Sequence, residues 1–408
     1  MTCDDLMNRP ERGLYIHIPF CHQRCHFCAF YLEIHQPRTA DRFLSALLTE
    51  MDLYRRRQPF AGQPLDSLYF GGGTPTTLSS DQLATLVTRA GECFGLRSGA
   101  EITVEAHPAS TSAESLAQLL AVGVNRVSFG AESMDSHELQ RVGRPGSPQE
   151  TQEAVALARA VGFRNICLDL MYGLPGQTLE SWSRSLEGVL RLAPTHVSCY
   201  ALTIEEGTHL QTAIARGSLP APDEELQNRM EACAEQVLTQ AGFVRYEISN
   251  YALPGFASRH NLLYWTNGRY LGLGPSAQSY VGTSRFGNVA DLEEYRTRLE
   301  AGQRPLADEE TLSETQVTTE QVMFGLRLCE GLPVGDLEQD LPTGLRDRLD
   351  RLRRENMLER HDTRLRLTPL GRTHFDTVAV GLLSSLDCGP ATARPFPLTS
   401  GTGRAETV

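Results

Sequence analysis

The chain has no lysine. All 38 basic residues among its 408 are arginines. That excludes every mechanism built on a lysine amine: a Schiff base, a lysine general base or the lysine of a P-loop. Long apolar runs are also missing. The longest, Val378 to Leu386, is far short of the roughly 18 residues a membrane span needs. The first residues, Met1 to Pro10, are polar and hold no apolar core, so no secretory signal is expected and the chain reads as cytoplasmic. Excess positive charge is absent as well. A net charge of −12 argues against nucleic acid or an anionic membrane as the main partner. What is present suffices for a core: 40% of residues are hydrophobic and 22% charged, which excludes a mostly disordered chain.

Short apolar runs alternate with longer amphipathic ones over the first 250 residues. Strands are predicted at Leu14–Ile18, Ser67–Phe70, Ile102–Glu105, Arg126–Phe129, Ile166–Met171, His196–Ala201 and Val244–Ile248. Helices are predicted at about 39–57, 79–94, 112–122, 148–162, 178–192 and 223–241. Leu44, Leu47, Leu48 and Met51 keep the spacing of one buried helix face. Strand then helix, about six times over, predicts an α/β fold: a partial (β/α)6 TIM-like barrel spanning 1–250, two units short of a closed barrel. Residues 251–310, rich in Gly, Asn, Tyr and Arg, read as ordered loop and edge strand. Residues 311–384 read as a small helical, winged-helix-like domain with a hairpin over Met357–Leu367. Residues 385–408 are rich in Pro, Gly, Ser and Thr, and a disordered tail is expected.

The chain has ten cysteines, and three fall within Cys21-His22-Gln23-Arg24-Cys25-His26-Phe27-Cys28, directly after the first strand. A cytosolic chain keeps its thiols reduced, so a tight cluster reads as metal-binding. Three thiolates can hold three corners of a [4Fe–4S] cluster and leave one iron open. A Cys₃His zinc site completed by His22, His26 or His35 is the alternative. The scattered Cys93, Cys167, Cys199, Cys233 and Cys329 sit in apolar runs and read as small core residues.

The C-x₃-C-x₂-C loop after the first strand, with Gly71-Gly72-Gly73-Thr74-Pro75 ending the second, resembles the radical S-adenosylmethionine (SAM) superfamily. The resemblance implies that the open iron chelates the amino and carboxylate groups of SAM. It also implies that one electron cleaves SAM to methionine and a 5′-deoxyadenosyl radical. Tyr15-Ile-His-Ile-Pro-Phe-Cys21, Asn125-Arg-Val-Ser-Phe-Gly130 and Asp169-Leu-Met-Tyr-Gly-Leu-Pro175 resemble a narrower group. That group holds the oxygen-independent coproporphyrinogen oxidases and the HemW-type haem chaperones. The oxidases carry a further cysteine where this chain has Phe30, and a longer N-terminal extension. The chaperones share His260-Asn261-Leu262-Leu263-Tyr264-Trp265, a segment associated with haem.

By position, the resemblance implies SAM contacts at Tyr15, Phe27, Gly72, Gly73, Thr74, Glu105, Glu132, Arg144, Asp169 and Ala201. It implies haem contacts at His260 as axial ligand, with Tyr264 and Trp265 as a flat apolar wall. Four positions depart from the group's pattern: Glu132 replaces a glutamine, Gly146 and Gln278 stand where histidines are expected, and Ser258 replaces a cysteine. The expected function is a haem chaperone that binds a [4Fe–4S] cluster, SAM and haem and delivers haem to a haem-accepting respiratory protein. A one-electron donor, peripheral contact with membrane-bound respiratory proteins and a dimeric state accompany that expectation. The alternative is oxidative decarboxylation of coproporphyrinogen III.

Overall fold

The computed structural model describes residues 11–56, 63–333, 335 and 341–384. The expected tail, 385–408, lies outside the described residues. Six strands, β1 (Arg12–Ile18), β2 (Leu65–Gly72), β3 (Leu96–Ala106), β4 (Arg126–Glu132), β5 (Asn165–Tyr172) and β6 (His196–Ala201), pair side by side in parallel. The helices between them are α1 (Pro37–Arg55), α2 (Ser80–Phe94), α3 (Ala113–Ala121), α4 (Pro148–Val161) and α5 (Leu179–Arg191), with α6 (Glu224–Gln240) after β6. Ser79 opens α2 by accepting from the Gln82 amide, while the Gln82 side chain returns to Ser79 N. On α1 the buried face is Ala40, Phe43, Leu47, Met51 and Tyr54; Leu44 and Leu48 sit at its edge, about one residue from the expected stripe.

Side chains alternate along the strands. Leu14, Ile16, Ile18, Leu68, Phe70, Ile102, Val104, Val127, Phe129, Ile166 and Leu168 face the helices in one continuous core. Each such fully buried side chain contributes about 1.5–3 kcal/mol. The opposite face carries Tyr15, His17, Ser67, Tyr69, Glu101, Glu105, Arg126, Ser128, Cys167, Asp169 and His196. A closed barrel of this type fills its interior with branched apolar residues; here the lumen is polar.

The sheet does not close. β7 (Val244–Arg245) and β8 (Asn250–Ala252) add antiparallel to the β6 edge. The predicted strand Val244–Ile248 therefore stops at Arg245. The buried Glu247 carboxylate bends the chain there, accepting from Ser249 N at 2.8 Å and Asn250 Nδ2 at 2.5 Å. On the other edge, β9 (Arg269–Leu273) lies parallel to β1, with Gly13 opposite Tyr270. β10 (Gln278–Val281), β11 (Ser284–Asn288) and β12 (Leu306–Thr311) continue antiparallel. So 251–310, expected as loop and edge strand, supplies a seventh parallel strand and three more. Its glycines hid it. A Cβ at Gly272 would sit 2.1 Å from Gln278 O, and Gly274 holds φ +97° against His17 O, so close backbone contact requires residues that otherwise signal loops. After β9–β12, α9 (Glu314–Gly325), α10 (Thr343–Arg354), α11 (Phe375–Leu383) and the antiparallel pair β14 (Leu358–His361) and β15 (Arg364–Leu367), extended by β13 (Leu332–Pro333), enclose a second core around Leu345, Leu349, Leu352 and Leu365.

One buried carboxylate ties α1 to the β9–β11 region. Glu50, fully buried, accepts from Gly274 N at 2.8 Å, Asn288 Nδ2 at 2.7 Å and Tyr295 Oη at 2.5 Å. Burial pushes its pKa up to about 7 despite those three donors. A carboxyl whose folded pKa lies above its usual 4.5 holds its proton more tightly in the native state, so the native state loses stability as pH rises through that window. Glu50→Gln mimics the protonated form. The stability of Glu50→Gln relative to wild type is expected to improve by up to about 3 kcal/mol between pH 4.5 and 8. Denaturant unfolding at the two pH values measures it; a pH-independent difference contradicts it.

Candidate active site

The site forms where the strands end. β1 runs into the cysteine loop, which a two-residue pairing of Phe20–Cys21 with Glu33–Ile34 closes at its base. Arg24 holds the loop in shape, donating to Cys28 O at 3.2 Å, Phe30 O at 3.3 Å and Leu32 O at 3.2 Å. His26 docks the loop on the opposite rim. Its N–H donates to Val142 O, its carbonyl accepts from Leu210 N, and its ring stacks on His209 at 4.9 Å. Burial raises the pKa of Cys21 and Cys25 and pushes Cys28 up to about 11. Bare, these are neutral thiols that release protons when they take up metal. The Arg144 guanidinium opposes the rise, with Nη1 3.7 Å from Cys25 Sγ, and it would offset the charge of three thiolates. Among the described residues, no three His, Cys, Asp or Glu side chains converge closely enough for a single metal ion. One zinc at about 2.3 Å from each sulfur would need them within roughly 4 Å of one another. A four-iron cluster takes each cysteine at a separate iron, so the cysteine loop fits it better.

The glycine strip lies beside the loop. Gly73 N donates to Ile18 O and Thr74 N to Phe20 O, while Thr74 Oγ1 lies 3.4 Å from Cys21 Sγ. A Cβ at Gly73 would come within 2.6 Å of Phe20 O; one at Gly72, which holds φ +110°, would strike the His17 ring. The strip is therefore glycine so that two backbones can meet next to the thiols. Gly72 N also donates to Glu105 Oε2 at 3.3 Å, and Tyr69 Oη donates to Glu105 Oε1 at 2.6 Å. Glu105 is pushed up to about 7, mainly by burial and then by the charge of Asp169.

Deeper in the lumen, Asp169 accepts from Ser128 Oγ at 3.0 Å and Cys167 Sγ at 3.2 Å. A bulge in β4 after Gly130 turns Glu132 inward at φ +62°, a strained setting for a non-glycine that costs of order 1–3 kcal/mol. Glu132 there pairs with Arg144 at 3.7 Å, and Arg144 also donates to Gly130 O at 2.6 Å. The carboxylate at this departure thus has a cation that a glutamine would not need. Phe27 packs on an apolar cluster of Val142, Leu174, Leu202 and Leu210, with Met171 of β5 beside it, and offers a shelf for a flat base. Tyr15 stands under the strip, its Oη 3.1 Å from His17 Nδ1. Most of the residues assigned to SAM by resemblance thus lie along one end of the strands and the lumen below it. Acidic groups for an amino group and an apolar shelf for adenine suit that ligand, while the amides of Gly72, Gly73 and Thr74 are already paired within the protein. Sequence reasoning missed Tyr69, His17 and Arg126. It also misplaced Cys167, which lies in the lumen and not in the core, with Sγ 2.9 Å from His196 Nδ1. The period of two, extended through every strand, is the signal that could have found them.

A second feature opens from this mouth. Tyr15, His17, Phe30, Tyr31, Tyr264, Trp265, Tyr270, Tyr280, Phe324 and Arg285 line a slit enclosing about 60 Å³. Trp265, nine-tenths buried, has an Nε1–H with no partner. Aromatic walls and one cation suit a flat acidic ring in kind. The width does not, since a pocket for such a ligand needs roughly 300 Å³ or more. Two of the three haem residues read from sequence, Tyr264 and Trp265, line this slit. His260 does not. It lies at the barrel floor, 1% exposed, with Nδ1 2.8 Å from Ser67 Oγ and Nε2 2.9 Å from Tyr264 Oη. Both its ring nitrogens are engaged, as are those of His17, whose Nδ1 lies 3.1 Å from Tyr15 Oη and Nε2 3.4 Å from Tyr31 O. The imidazole on the slit wall is His17, kept neutral by burial, with its pKa lowered to about 4. Of the other departures, Ser258 caps the short helix α7 (Arg259–Trp265), Gly146 holds φ +100° beside His107, and Gln278 lines the slit.

The model of the radical SAM superfamily matches residues 15–188, and that of the HemN C-terminal domain matches 312–374. The chain is 36% identical to the heme chaperone HemW of Mycobacterium tuberculosis (strain ATCC 25618 / H37Rv) over 91% of this chain and 94% of the relative. It is 36% identical to that of Bacillus subtilis (strain 168), over 79% and 84%. Among solved structures, the Escherichia coli coproporphyrinogen III oxidase HemN, described as a radical SAM enzyme, superposes with a TM-score of 0.76. That match has 25% identity and covers 92% of this chain and 90% of HemN.

Protonated Glu105 cannot attract an ammonium. SAM affinity is therefore expected to fall as pH drops below 7, by up to about tenfold per unit. Glu105→Gln is expected to bind weakly at every pH. Equilibrium dialysis at pH 6 and 8 measures both; equal wild-type affinity at the two values overturns the assignment.

Proposed function

The chain belongs to the HemW family of radical SAM proteins, and we propose that it is a cytoplasmic haem chaperone. It binds a [4Fe–4S] cluster through Cys21, Cys25 and Cys28, binds SAM beside it, and holds haem for delivery to haem-requiring respiratory proteins. The observation that supports carriage most is the aromatic slit, walled by Tyr264 and Trp265 and opening beside the cysteine loop at Phe30 and Tyr31. Phe30 stands where the oxidases resembled here carry a further cysteine. The Mycobacterium tuberculosis and Bacillus subtilis relatives are named for haem carriage, and this chain overlays an oxidase, so the shared fold does not discriminate between the two activities. No helix among the described residues is long and apolar enough to cross a membrane.

When bound, the cluster supplies an iron for the amino and carboxylate groups of SAM and a path for one electron. The protein's own groups then have separate tasks. Glu105 would accept from the amino group, the Gly72–Thr74 backbone would flank the methionyl end, Phe27 would shield the adenine side and Arg144 would balance the thiolates. Tyr264, Trp265 and Tyr280 would hold the faces of a haem, and His17 would supply an imidazole for its iron by giving up its contact with Tyr15 or Tyr31. His260 supports that wall from behind through Tyr264.

Anaerobic reconstitution is expected to load about four irons per chain, and Cys21→Ala, Cys25→Ala or Cys28→Ala to abolish the cluster. One tightly held zinc per chain would end this reading. In a haem titration, His17→Ala is expected to weaken the Soret-forming complex about tenfold or more, the loss of one iron ligand. His260→Ala is expected to weaken it less. The reverse order returns the axial role to His260.

A further inference from the structure

The slit is too narrow for a porphyrin as it stands, so one wall must move for haem to enter. The groups that span it show which. β11 supplies Arg285, the single arginine among the lining residues, whose guanidinium lies over the Tyr280 ring at 5.7 Å. α9 supplies Phe324 on the slit wall and, one turn earlier, Glu320. Arg285 Nη1 and Nη2 donate to Glu320 Oε1 and Oε2 at 2.5 Å and 2.7 Å, a two-pronged pair with both side chains largely buried. This bond clamps the helix that carries one slit wall to the sheet that carries the other.

We propose that Glu320 holds the place of a ligand carboxylate, and that a propionate of haem takes Arg285 from it, opening the slit as it binds. The inference rests on the haem reading and deepens it by naming how the propionate is recognised. A buried guanidinium needs a carboxylate whether or not ligand is present. Glu320 meets that need in the empty protein, and a propionate presents the same two oxygens with the same planar match. Exchange therefore replaces one Arg–carboxylate pair by another and leaves no buried cation uncompensated. It frees Glu320, whose carboxylate then reaches solvent or takes up a proton, and with it the hold of β11 on α9, so Phe324 can withdraw. α9 lies in the stretch matched by the HemN C-terminal domain; its Val322, and Leu326 just past its end, join that domain's core. Loading the slit thereby loosens the attachment of the C-terminal domain, the change a partner could read as a sign of cargo.

The test compares haem with its dimethyl ester, which has the same ring and iron but no propionate charge, titrated into the full-length protein by Soret absorbance. Wild type is expected to bind haem at least about tenfold more tightly than the ester, the worth of one charge-assisted hydrogen bond. Arg285→Gln is expected to bind both at the ester's level. Glu320→Gln, which removes the internal competitor, is expected to tighten haem several-fold. Hydrogen exchange in α9 is expected to rise on adding haem and to rise less with the ester, which cannot take Arg285 from Glu320. Equal wild-type affinity for haem and ester overturns the exchange while leaving the haem reading intact. Binding of neither overturns the haem reading itself. Thermal melting checks each variant, and the wild-type comparison stands even if a variant fails to fold.

Discussion

The strict alternation of side chains along the six parallel strands is the constraint on which the molecule depends. Leu14, Ile16, Leu68, Phe70, Val104 and Phe129 bind the helices from one face, so every second residue is committed to the other. A one-residue slip in any strand would turn that strand's apolar set inward and its polar set against the helices. The helix layer thus enforces the position of Tyr15, Tyr69, Glu105, Ser128 and Asp169. The polar lumen is the counterpart of an ordinary apolar core outside it. It persists because its groups pair with one another, as in the contact of Asp169 with Ser128 and Cys167.

The six units, their helices and the cysteine loop were legible in the sequence because each is specified locally. Hydrophobic period, N-cap residues and thiol spacing act over a few residues. What escaped was specified over long distances. β9 pairs with a strand about 250 residues away and needs glycines to approach it, so local signals read it as loop. His260 was read as a ligand from the segment it shares with the haem chaperones, and its surroundings come from distant parts of the chain. Its role is decided by Ser67, 193 residues away in the chain, and by Tyr264. His17 was passed over inside an apolar strand, although the alternation that buries Ile16 and Ile18 turns it into the lumen. Arg285 carried no motif at all, and only the fold brings it to Glu320.

The absence of lysine is consistent with this architecture. The arginines that matter, Arg24, Arg144, Arg285 and Arg327, each engage several acceptors or a ring face at once. Arg24 spans three carbonyls, and Arg327 pairs with Glu247 at 3.1 Å while lying 4.3 Å from the centre of the Trp265 ring. A planar fork does this and an ammonium does not. Arg327 also links Trp265, on the slit wall, to Phe375 in the C-terminal part of the chain. The aromatic slit and the C-terminal domain are therefore connected through two arginines, the half-buried Arg285 on one side and the buried Arg327 on the other.

Cysteines, a glycine strip and an aromatic slit side by side suit an enzyme as much as a carrier. The distinction lies in what happens to the ring. The most direct measurement is to load the reconstituted protein with cluster, SAM and a low-potential reductant, present coproporphyrinogen III in one vessel and haem with an apo-haem acceptor in another, and separate the tetrapyrroles by chromatography. The account predicts that coproporphyrinogen III is recovered unchanged while haem moves intact to the acceptor. Conversion of the propionates to vinyl groups over many turnovers would contradict it.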